Sequence, residues 1–382
     1  MEIRRKTISY ASYKKKVSNE RENKLQNDIK NLEKNFSEIN AEELDSKRKE
    51  LQEIREQKLK GSLIRSRAKW LLEGEKPTKY FLGLESRSYT SKIIPRIEKT
   101  DGSIITNQKS ILDETRMFYE KLYTENVNTK DIDIDTCLQQ YNVPKLTDEE
   151  AERLEGLIKY EEATKSLKNM RNNTSPGSDG FSVEFMKMFW NKIGYYVVRS
   201  LNYGFDTGEL STTQKEGIIT CIPKDNKPKQ FLKNWRPITL LNTVYKIGSS
   251  SIANRLKSVL DKLISKEQTG FMTGRYIGEN TRLIYDILQF TEEKDIPGLL
   301  LFIDFEKAFD SVSWKFMEKV LKFFKFGSSL RNWIKVLYNN IKSRVNIGGH
   351  LSDFFSPGRG CRQGDPVSCY LYILCAEILS IN

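Results

Sequence analysis

The stretch LLLFIDFEKAFDSVSW, residues 299–314, decides the fold of this chain. Residues 299–303 are apolar at every position, a pattern that predicts a buried strand covered on both faces. Asp304 follows at once, so this strand would present a carboxylate at its C-terminal end. The chain then breaks into a predicted helix that carries Phe309, and Asp310 is expected to cap the helix that begins at Ser311. The sequence therefore predicts a carboxylate at a strand end with an aromatic ring close behind it.

A second stretch, GCRQGDPVS at residues 360–368, indicates a glycine-bounded loop that leads into an apolar helix over residues 369–379. Gln363 can both donate and accept hydrogen bonds, and Gly364 lets the backbone approach a ligand closely. Asp365 is expected to brace the turn of its own loop. The loop is thus a candidate binding element.

Composition favours a phosphate polymer as the partner. The 382 residues include 63 Lys and Arg against 51 Asp and Glu, a formal net charge of +12. The excess is uneven, because residues 1–100 and 161–382 are basic while residues 101–160 are acidic. Basic lobes of this kind attract nucleic acid, although other soluble basic proteins share such a balance.

Cysteine and histidine usage excludes several classes of site. The chain has 5 Cys without a CxxC pair and a single histidine, His350, which argues against a structural zinc site and a disulfide framework. No charged-then-apolar leader follows Met1, and no apolar run reaches about 18 residues. We therefore expect an intracellular protein, cytoplasmic or nuclear, that is not secreted and does not span a membrane.

The first 64 residues predict a polar, mostly helical extension. Leu25, Ile29, Leu32, Phe36 and Ile39 step by four and three, which fits two packed amphipathic helices or a short coiled coil. The coiled coil would give residues 20–60 a dimerising or regulatory role, and the helical pair would not.

Residues 65–145 form a second predicted segment. Arg65, Arg67 and Lys69 are followed by Trp70, a mixture of cations and an aromatic plane that suits phosphates and unstacked bases. A solvated helix face is the alternative interpretation. A small hairpin turning at Asp101-Gly102, a helix over residues 110–123 and an acidic linker over residues 125–145 are expected to follow.

The main domain is predicted to span residues 146–382. Thr147 and Glu150 fit a capping box at its start, and helices then alternate with short strands. Long crossovers between those elements indicate an α+β class.

Motifs along residues 175–368 occur in a characteristic order. They are SPGSDG (175–180), IPK (222–224), NWRPITLLN (234–242), IANRL (252–256), QTGF and GR within 268–275, FIDFEKAFDSVSW (302–314) and GCRQGDPVS (360–368). Together they resemble the reverse transcriptase of LINE-type, non-LTR retrotransposons. Residues 65–81 are similar to the segment that such proteins carry before the polymerase. The resemblance implies the fingers and an incomplete palm of a right-hand polymerase, preceded by a helical extension.

The resemblance also implies roles for single residues. Asp304 would be the catalytic carboxylate and, with the Phe305 carbonyl, a ligand of two Mg²⁺ ions in the complete enzyme. The remaining residues would contact the incoming nucleotide: Lys224 and Arg236 at the triphosphate, Phe309 as a steric gate against the 2′-hydroxyl, and Gln363 and Gly364 near the sugar and base. Template RNA, a DNA primer and dNTPs would be the partners.

One departure from the family matters. Its members carry a hairpin with adjacent aspartates, and no Asp-Asp pair occurs in this sequence. We therefore expect a fragment truncated before that hairpin, inactive alone, whose exposed palm edge or residues 20–60 could support self-association. Two alternatives remain open, namely a non-catalytic, domesticated RNA-binding derivative and a helical adaptor.

Overall fold

The computed structural model describes residues 2–34, 41–66, 94–99, 101–124, 131–141 and 143–380. The chain divides into two compact units, Met1–Ile93 and Ile94–Asn382. The predicted boundaries after residues 64 and 145 stay predictions. Among the residues just named, no helix is both long and apolar enough to cross a membrane.

The described residues of the first unit form a helical pair, as one of the two sequence interpretations predicted. The pair is α1 (Glu2–Lys34) and α2 (Ala41–Ser66). Leu25 and Ile29 of α1 bury against Leu44 and Leu51 of α2, so the apolar stripe is used within the chain. Ion pairs join the two helices beside this stripe, for example Lys47 with Asp28 at 3.0 Å.

The second unit mixes helices with a small sheet, which confirms the predicted α+β class. The fingers and palm assignment is finer than this observation and stays a prediction. The helices described in this unit are α3 (Gln108–Tyr123), α4 (Asp131–Gln139), α5 (Asp148–Glu152), α6 (Tyr160–Asn169), α7 (Val183–Thr207), α8 (Thr212–Lys215), α9 (Thr243–Lys257), α10 (Leu260–Leu263), α11 (Ile277–Glu293), α12 (Trp314–Phe323), α13 (Ser328–Tyr338) and α14 (Ser368–Ser380).

Two sheets accompany these helices. The strands are β1 (Ile97–Glu98), β2 (Ile104–Ile105), β3 (Glu216–Pro223), β4 (Trp235–Leu241), β5 (Lys342–Ile347) and β6 (His350–Leu351). Strands β1 and β2 form the predicted hairpin, whose turn has Gly102 at φ +81°. The larger sheet has the order β4-β3-β5-β6. Strand β3 is antiparallel to β4 and parallel to β5, so β4 is an edge strand.

Alternation along β3 determines how the sheet packs. Ile219 and Cys221 point to one face, where they join Tyr119 of α3 and Val345 of β5 in a buried apolar cluster. Burial raises the pKa of the Cys221 thiol to about 11. Helix α3 thus packs against the sheet and belongs to the same unit as the motifs found downstream.

A larger apolar core lies among the helices. Tyr245 of α9, Trp333 of α13 and Leu371 of α14 are fully buried there. Helix α7 packs into this core through residues such as Leu201. The Leu201 side chain lies against Gly248 of α9. This core supports the elements that carry the motif residues.

Several local predictions are confirmed. Thr147 caps α5 in a reciprocal capping box, with its backbone N–H donating to the Glu150 carboxylate at 2.8 Å. Within the predicted acidic linker over residues 125–145, residues 131–139 form the helix α4. Ile134 and Leu138 of α4 are buried in the larger core. This long-range packing stabilises a helix that the local sequence pattern does not predict.

The predicted strand over residues 299–303 is wrong. These residues have no regular secondary structure, and Leu299 is 91% and Phe302 74% exposed. The preceding helix α11 buries none of its residues. An apolar run forms a buried strand only where neighbouring strands and a covering layer pair with it, and the described residues provide neither here.

Candidate functional site

The two motifs that decide the sequence interpretation lie side by side. The Cys361 N–H donates to the Phe309 carbonyl at 2.7 Å, and the Gly360 N–H donates to the Val312 carbonyl at 2.8 Å. Gly360 has φ +89°, and a Cβ there would come within 2.8 Å of the Asp310 carbonyl oxygen. Only glycine permits this close approach, which fixes the loop against residues 309–312.

The loop of residues 360–366 is here called the GDP loop after its residues Gly364, Asp365 and Pro366. It also covers the free edge of the sheet at β4. The Thr239 N–H of β4 donates to the Gln363 carbonyl at 2.8 Å. Gly364 has φ +107°, and a Cβ there would lie 2.7 Å from the Thr239 carbonyl oxygen. The predicted close approach at Gly364 is therefore made to the edge strand, whose backbone groups it shields.

Asp365 anchors the other end of the GDP loop. Its carboxylate accepts a hydrogen bond from the Tyr245 hydroxyl at 2.9 Å and another from the Ser249 hydroxyl, both on α9. The Val367 N–H reaches the same carboxylate at 3.5 Å, so Asp365 also braces its own turn as predicted. Asp365 is buried and engaged, which argues against a role as a metal ligand.

Arg362 is a buried cation within the same loop. Its guanidinium lies 4.4 Å from the centre of the Tyr245 ring, and one amino group donates to the Leu337 carbonyl at 3.3 Å. Its Nε and Nη1 have no hydrogen-bond partner among the described residues. The aromatic face and the nearby Asp365 carboxylate stabilise the charge instead.

Asp310 does not cap a helix, contrary to the prediction. Ser313 caps α12, and its hydroxyl accepts from the Phe316 N–H. Asp310 is only 2% exposed and sits in a short 3-10 helix, Ala308–Ser311. Its Oδ1 accepts a hydrogen bond from the Tyr123 hydroxyl at 2.8 Å. Gln363 Nε2 lies 3.2 and 3.1 Å from the two carboxylate oxygens.

Burial and nearby cations set the electrostatics of this group. Burial raises the pKa of Asp310, and the hydrogen bonds from Tyr123 and Gln363 oppose that shift. Lys307 and Lys224 lie near enough to favour the ionised carboxylate. Burial lowers the pKa of Lys307, and the neighbouring charges of Lys224 and Arg359 lower it further. Two lysines, Lys307 and Lys224, therefore favour the charged form of one buried carboxylate.

Phe309 precedes Asp310 in the same 3-10 helix, and its side chain has different partners. The Phe309 ring stacks on Tyr372 of α14 with centroids 4.4 Å apart and meets Phe271 edge-on at 5.6 Å. Asp304 is exposed, and its charge acts on the Tyr372 hydroxyl. Asp304 and Phe309 are thus brought to one region through Tyr372, while Phe305 is 53% exposed nearby in sequence.

The two predicted triphosphate cations belong to one hairpin. Arg236 of β4 is exposed and stands opposite Ile222 of β3. Lys224 lies two residues beyond Ile222, so both cations belong to the same face of the hairpin if the alternation continues. The Lys224 N–H donates to the Asn234 carbonyl at 2.8 Å, which fixes its backbone.

The predicted RNA-binding residues mostly fall outside the described part of the chain. Arg67, Lys69 and Trp70 lie outside the described residues. Arg65 falls within the helical backbone of α2, and its side chain is not described. Their proposed role stays a prediction.

The described residues do not form a complete metal site. No group of three or more His, Cys, Asp or Glu among them is placed to hold an ion. Asp304 offers one exposed carboxylate, whereas Asp310 is buried and bonded. The donor set for two Mg²⁺ ions is therefore not met by these residues.

Comparison with known proteins shows which protein family part of this chain matches. Residues 222–381 match the family described as reverse transcriptase (RNA-dependent DNA polymerase). This range contains the hairpin cations, the Asp304 segment and the GDP loop. Residues 222–381 therefore carry the reverse transcriptase sequence that the order of the motifs predicts.

Relatives of this chain come from mobile elements. It is 32% identical to the transposon TX1 uncharacterized 149 kDa protein of Xenopus laevis over 96% of this chain and 28% of that protein. It is 28% identical to the retrovirus-related Pol polyprotein from the type-1 retrotransposable element R2 of Nasonia vitripennis, over 52% of this chain and 19% of the relative. A probable RNA-directed DNA polymerase from transposon BS of Drosophila melanogaster is 30% identical over 44% of this chain and 19% of its own length. The chain thus spans less than a third of these relatives.

Sequence reasoning missed two participants in this region. Tyr123 lies at the end of α3, outside residues 222–381, and nothing in its local pattern indicates a bond to Asp310. Lys307 adopts φ +52°, an uncommon conformation for a residue other than glycine, and its amino group lies 4.7 Å from the centre of the Phe118 ring. The one sequence feature that points to Lys307 is its position in the motif of residues 302–314, three residues after Asp304.

Proposed function

We propose that this chain forms the nucleotide-binding part of an RNA-directed DNA polymerase of a non-LTR retrotransposon. The observation that carries the proposal is the direct contact between the two motifs. The Cys361 N–H donates to the Phe309 carbonyl and Gln363 donates to the Asp310 carboxylate, with Lys224 close to that carboxylate. An incoming dNTP needs cations for its phosphates, a surface for its sugar and a fixed polar group, and these residues supply all three.

Each residue would act on the nucleotide in a defined way. Lys224 and Arg236 would bind the triphosphate, where the fork of arginine suits paired phosphate oxygens. Phe309, held between Tyr372 and Phe271, would exclude a 2′-hydroxyl because its ring cannot move aside without breaking those contacts. Gln363 and Gly364 would pass near the sugar and base. Template RNA and a DNA primer would be the macromolecular partners.

Asp304 would be the reactive-centre carboxylate. It would supply one ligand, with the Phe305 carbonyl as a weaker one, to a divalent ion such as Mg²⁺ in the complete polymerase. The remaining ligands are not among the described residues, so the proposal for Asp304 rests on its exposure, the effect of its charge on Tyr372 and the family match.

Primer extension by the full polymerase containing this chain tests the proposal. Asp304→Ala should abolish extension on an RNA template, whereas Asp286→Ala, an exposed aspartate of α11, should leave it intact. Extension that survives Asp304→Ala would contradict the proposal. RNA binding without any extension by the unaltered protein would favour the non-catalytic alternative.

The steric gate has its own matched pair of variants. Phe309→Ala should raise ribonucleotide incorporation relative to deoxynucleotide incorporation, because the ring that meets the 2′-hydroxyl is removed. Phe305→Ala keeps the backbone carbonyl and should leave the ratio unchanged. Equal ratios in the two variants would assign Phe309 to the core alone.

A further inference from the structure

We propose that Tyr123 and Asp310 are positioning residues that fix the side-chain carboxamide of Gln363 in a single orientation toward the nucleotide. The inference rests on the proposed function. It assigns a part of the nucleotide site to α3, which lies outside the reverse transcriptase match. Tyr123 and Asp310 are separated by 187 residues in the chain and joined by one buried hydrogen bond.

The orientation of Gln363 follows from charge. An ionised carboxylate has only acceptor oxygens, so it attracts the NH₂ end of a carboxamide and repels the carbonyl end. Nε2 lies 3.1 Å from Asp310 Oδ2, and Oε1 is therefore held on the side away from Asp310. Oε1 has no hydrogen-bond partner among the described residues, and Gln363 is half-buried. The side chain offers a fixed acceptor to a donor group of the substrate.

Tyr123 stabilises the carboxylate that performs this task. Burial raises the pKa of Asp310, and the Tyr123 hydroxyl opposes the shift by donating to Oδ1. The Tyr123 ring is itself held, because it stacks between Tyr119 and Phe355 with centroids 6.4 Å away on both sides. The hydroxyl is therefore fixed before any substrate arrives.

The end of α3 is also hydrogen-bonded to residues 358 and 359, which directly precede the GDP loop. The Gly358 and Arg359 N–H groups donate to the Tyr123 carbonyl at 2.8 and 3.2 Å. Arg359 Nε donates to the Leu122 carbonyl at 2.9 Å, where a cation also complements the helix C-terminus. Side chain and backbone of Tyr123 thus act on the same loop, one through Asp310 and one directly.

Steady-state kinetics of the full polymerase containing this chain test the inference. Tyr123→Phe removes one hydroxyl and keeps the stacked ring, and it should raise KM for dNTP about five- to tenfold while leaving kcat nearly unchanged. Tyr119→Phe is the control, because it removes a buried hydroxyl of the same helix that has no hydrogen bond to Asp310. Equal KM values for the two variants would overturn the inference.

A double-mutant cycle separates positioning from general stability. Gln363→Leu should raise KM by itself, and adding Tyr123→Phe to it should change KM no further, because Tyr123 acts through Gln363. An additional rise in the double variant, equal to that of Tyr123→Phe alone, would show a role independent of Gln363. Asp304→Ala in the same assay distinguishes failure of the proposed function from failure of this inference.

A readout without activity uses the 382-residue chain with ¹⁵N-labelled glutamine side chains. The Gln363 amide signals are identified by their loss in Gln363→Leu. Their protons should exchange slowly with solvent, and Asp310→Asn should speed the exchange, because a neutral carboxamide pairs with Gln363 in either orientation. Tyr119→Phe should leave the exchange unchanged. Fast exchange in the unaltered chain would overturn the inference.

Discussion

At the residue scale, Asp310 is the group whose surroundings differ most from its sequence context. The sequence predicts that Asp310 caps a helix, yet its carboxylate lies buried between α3 and the GDP loop. Among the residues that the structure describes, its carboxylate accepts hydrogen bonds from Tyr123 and Gln363. An isolated buried carboxylate is costly, so these donors and the nearby lysines are needed to keep it ionised.

This placement predicts a pH-dependent stability. Because burial raises the pKa of Asp310 in the folded state above its ordinary value of 3.8, the folded state holds this proton more tightly than the unfolded state. Its stabilising contribution is therefore present in acid and lost as the pH rises through the raised pKa. The difference in Tm between the natural chain and Asp310→Asn should fall from acidic to neutral pH. A difference independent of pH in a calorimetric series would contradict the shift.

Hydrogen bonds between residues close in the chain could be predicted from the sequence, whereas contacts between distant residues could not. The capping box of Thr147 and Glu150 depends on residues three apart, so its pattern predicts it directly. The bond between Tyr123 and Asp310 depends on the packing of α3 against the sheet, which no local pattern encodes. Motif order nevertheless placed Gln363 and Phe309 at one site, because the family resemblance carries long-range information that periodicity lacks.

At the element scale, the GDP loop replaces a neighbouring strand along β4. The Thr239 N–H, which would otherwise remain unpaired at a sheet edge, donates to Gln363. The loop can lie so close because Gly364 has no Cβ and adopts φ +107°. The predicted strand over residues 299–303 shows the converse, since an apolar run without a pairing edge or a cover stays irregular and exposed.

Two glycine substitutions measure the closeness of this contact. Gly364→Ala meets both a strained φ and a Cβ placed 2.7 Å from the Thr239 carbonyl oxygen. Gly349→Ala meets a similar φ of +88° in open space and is the control. The control should cost about 1 kcal/mol of unfolding free energy, and Gly364→Ala about 1–3 kcal/mol more. Denaturant titrations with equal midpoints would show that the loop moves away from β4 freely.

At the scale of the whole molecule, the net charge of +12 predicts salt-dependent RNA binding. The logarithm of the association constant should fall linearly with the logarithm of the salt concentration, because bound cations are released from the phosphates. Replacing Arg65, Arg67 and Lys69 by Ala should weaken binding and reduce the slope by about 2. Filter-binding titrations over a salt series give both quantities.

The control for that prediction removes the same charge elsewhere. Lys14, Lys15 and Lys16 are exposed on α1, and replacing all three by Ala changes the net charge equally. A smaller loss of slope in this control would locate phosphate contacts in the segment that begins at Arg65. The same loss in both triple variants would show that binding follows overall charge and would favour the solvated-face interpretation of that segment.

The whole molecule also exposes an extended apolar surface, and this predicts its behaviour in solution. Leu301 and Ile303 are 71% and 70% exposed, and they follow α11 in the chain, a helix that buries none of its side chains. Runs of exposed β-branched and aliphatic residues favour association through unpaired backbone and apolar contact. Leu301→Lys with Ile303→Lys should therefore lower the binding of a hydrophobic dye and the light scattering of concentrated samples. Val17→Lys with Ile104→Lys adds the same charge at two exposed positions outside residues 299–303 and is the control. If both double variants lower scattering equally, charge repulsion explains the effect; if only the first does, the apolar run itself causes the association.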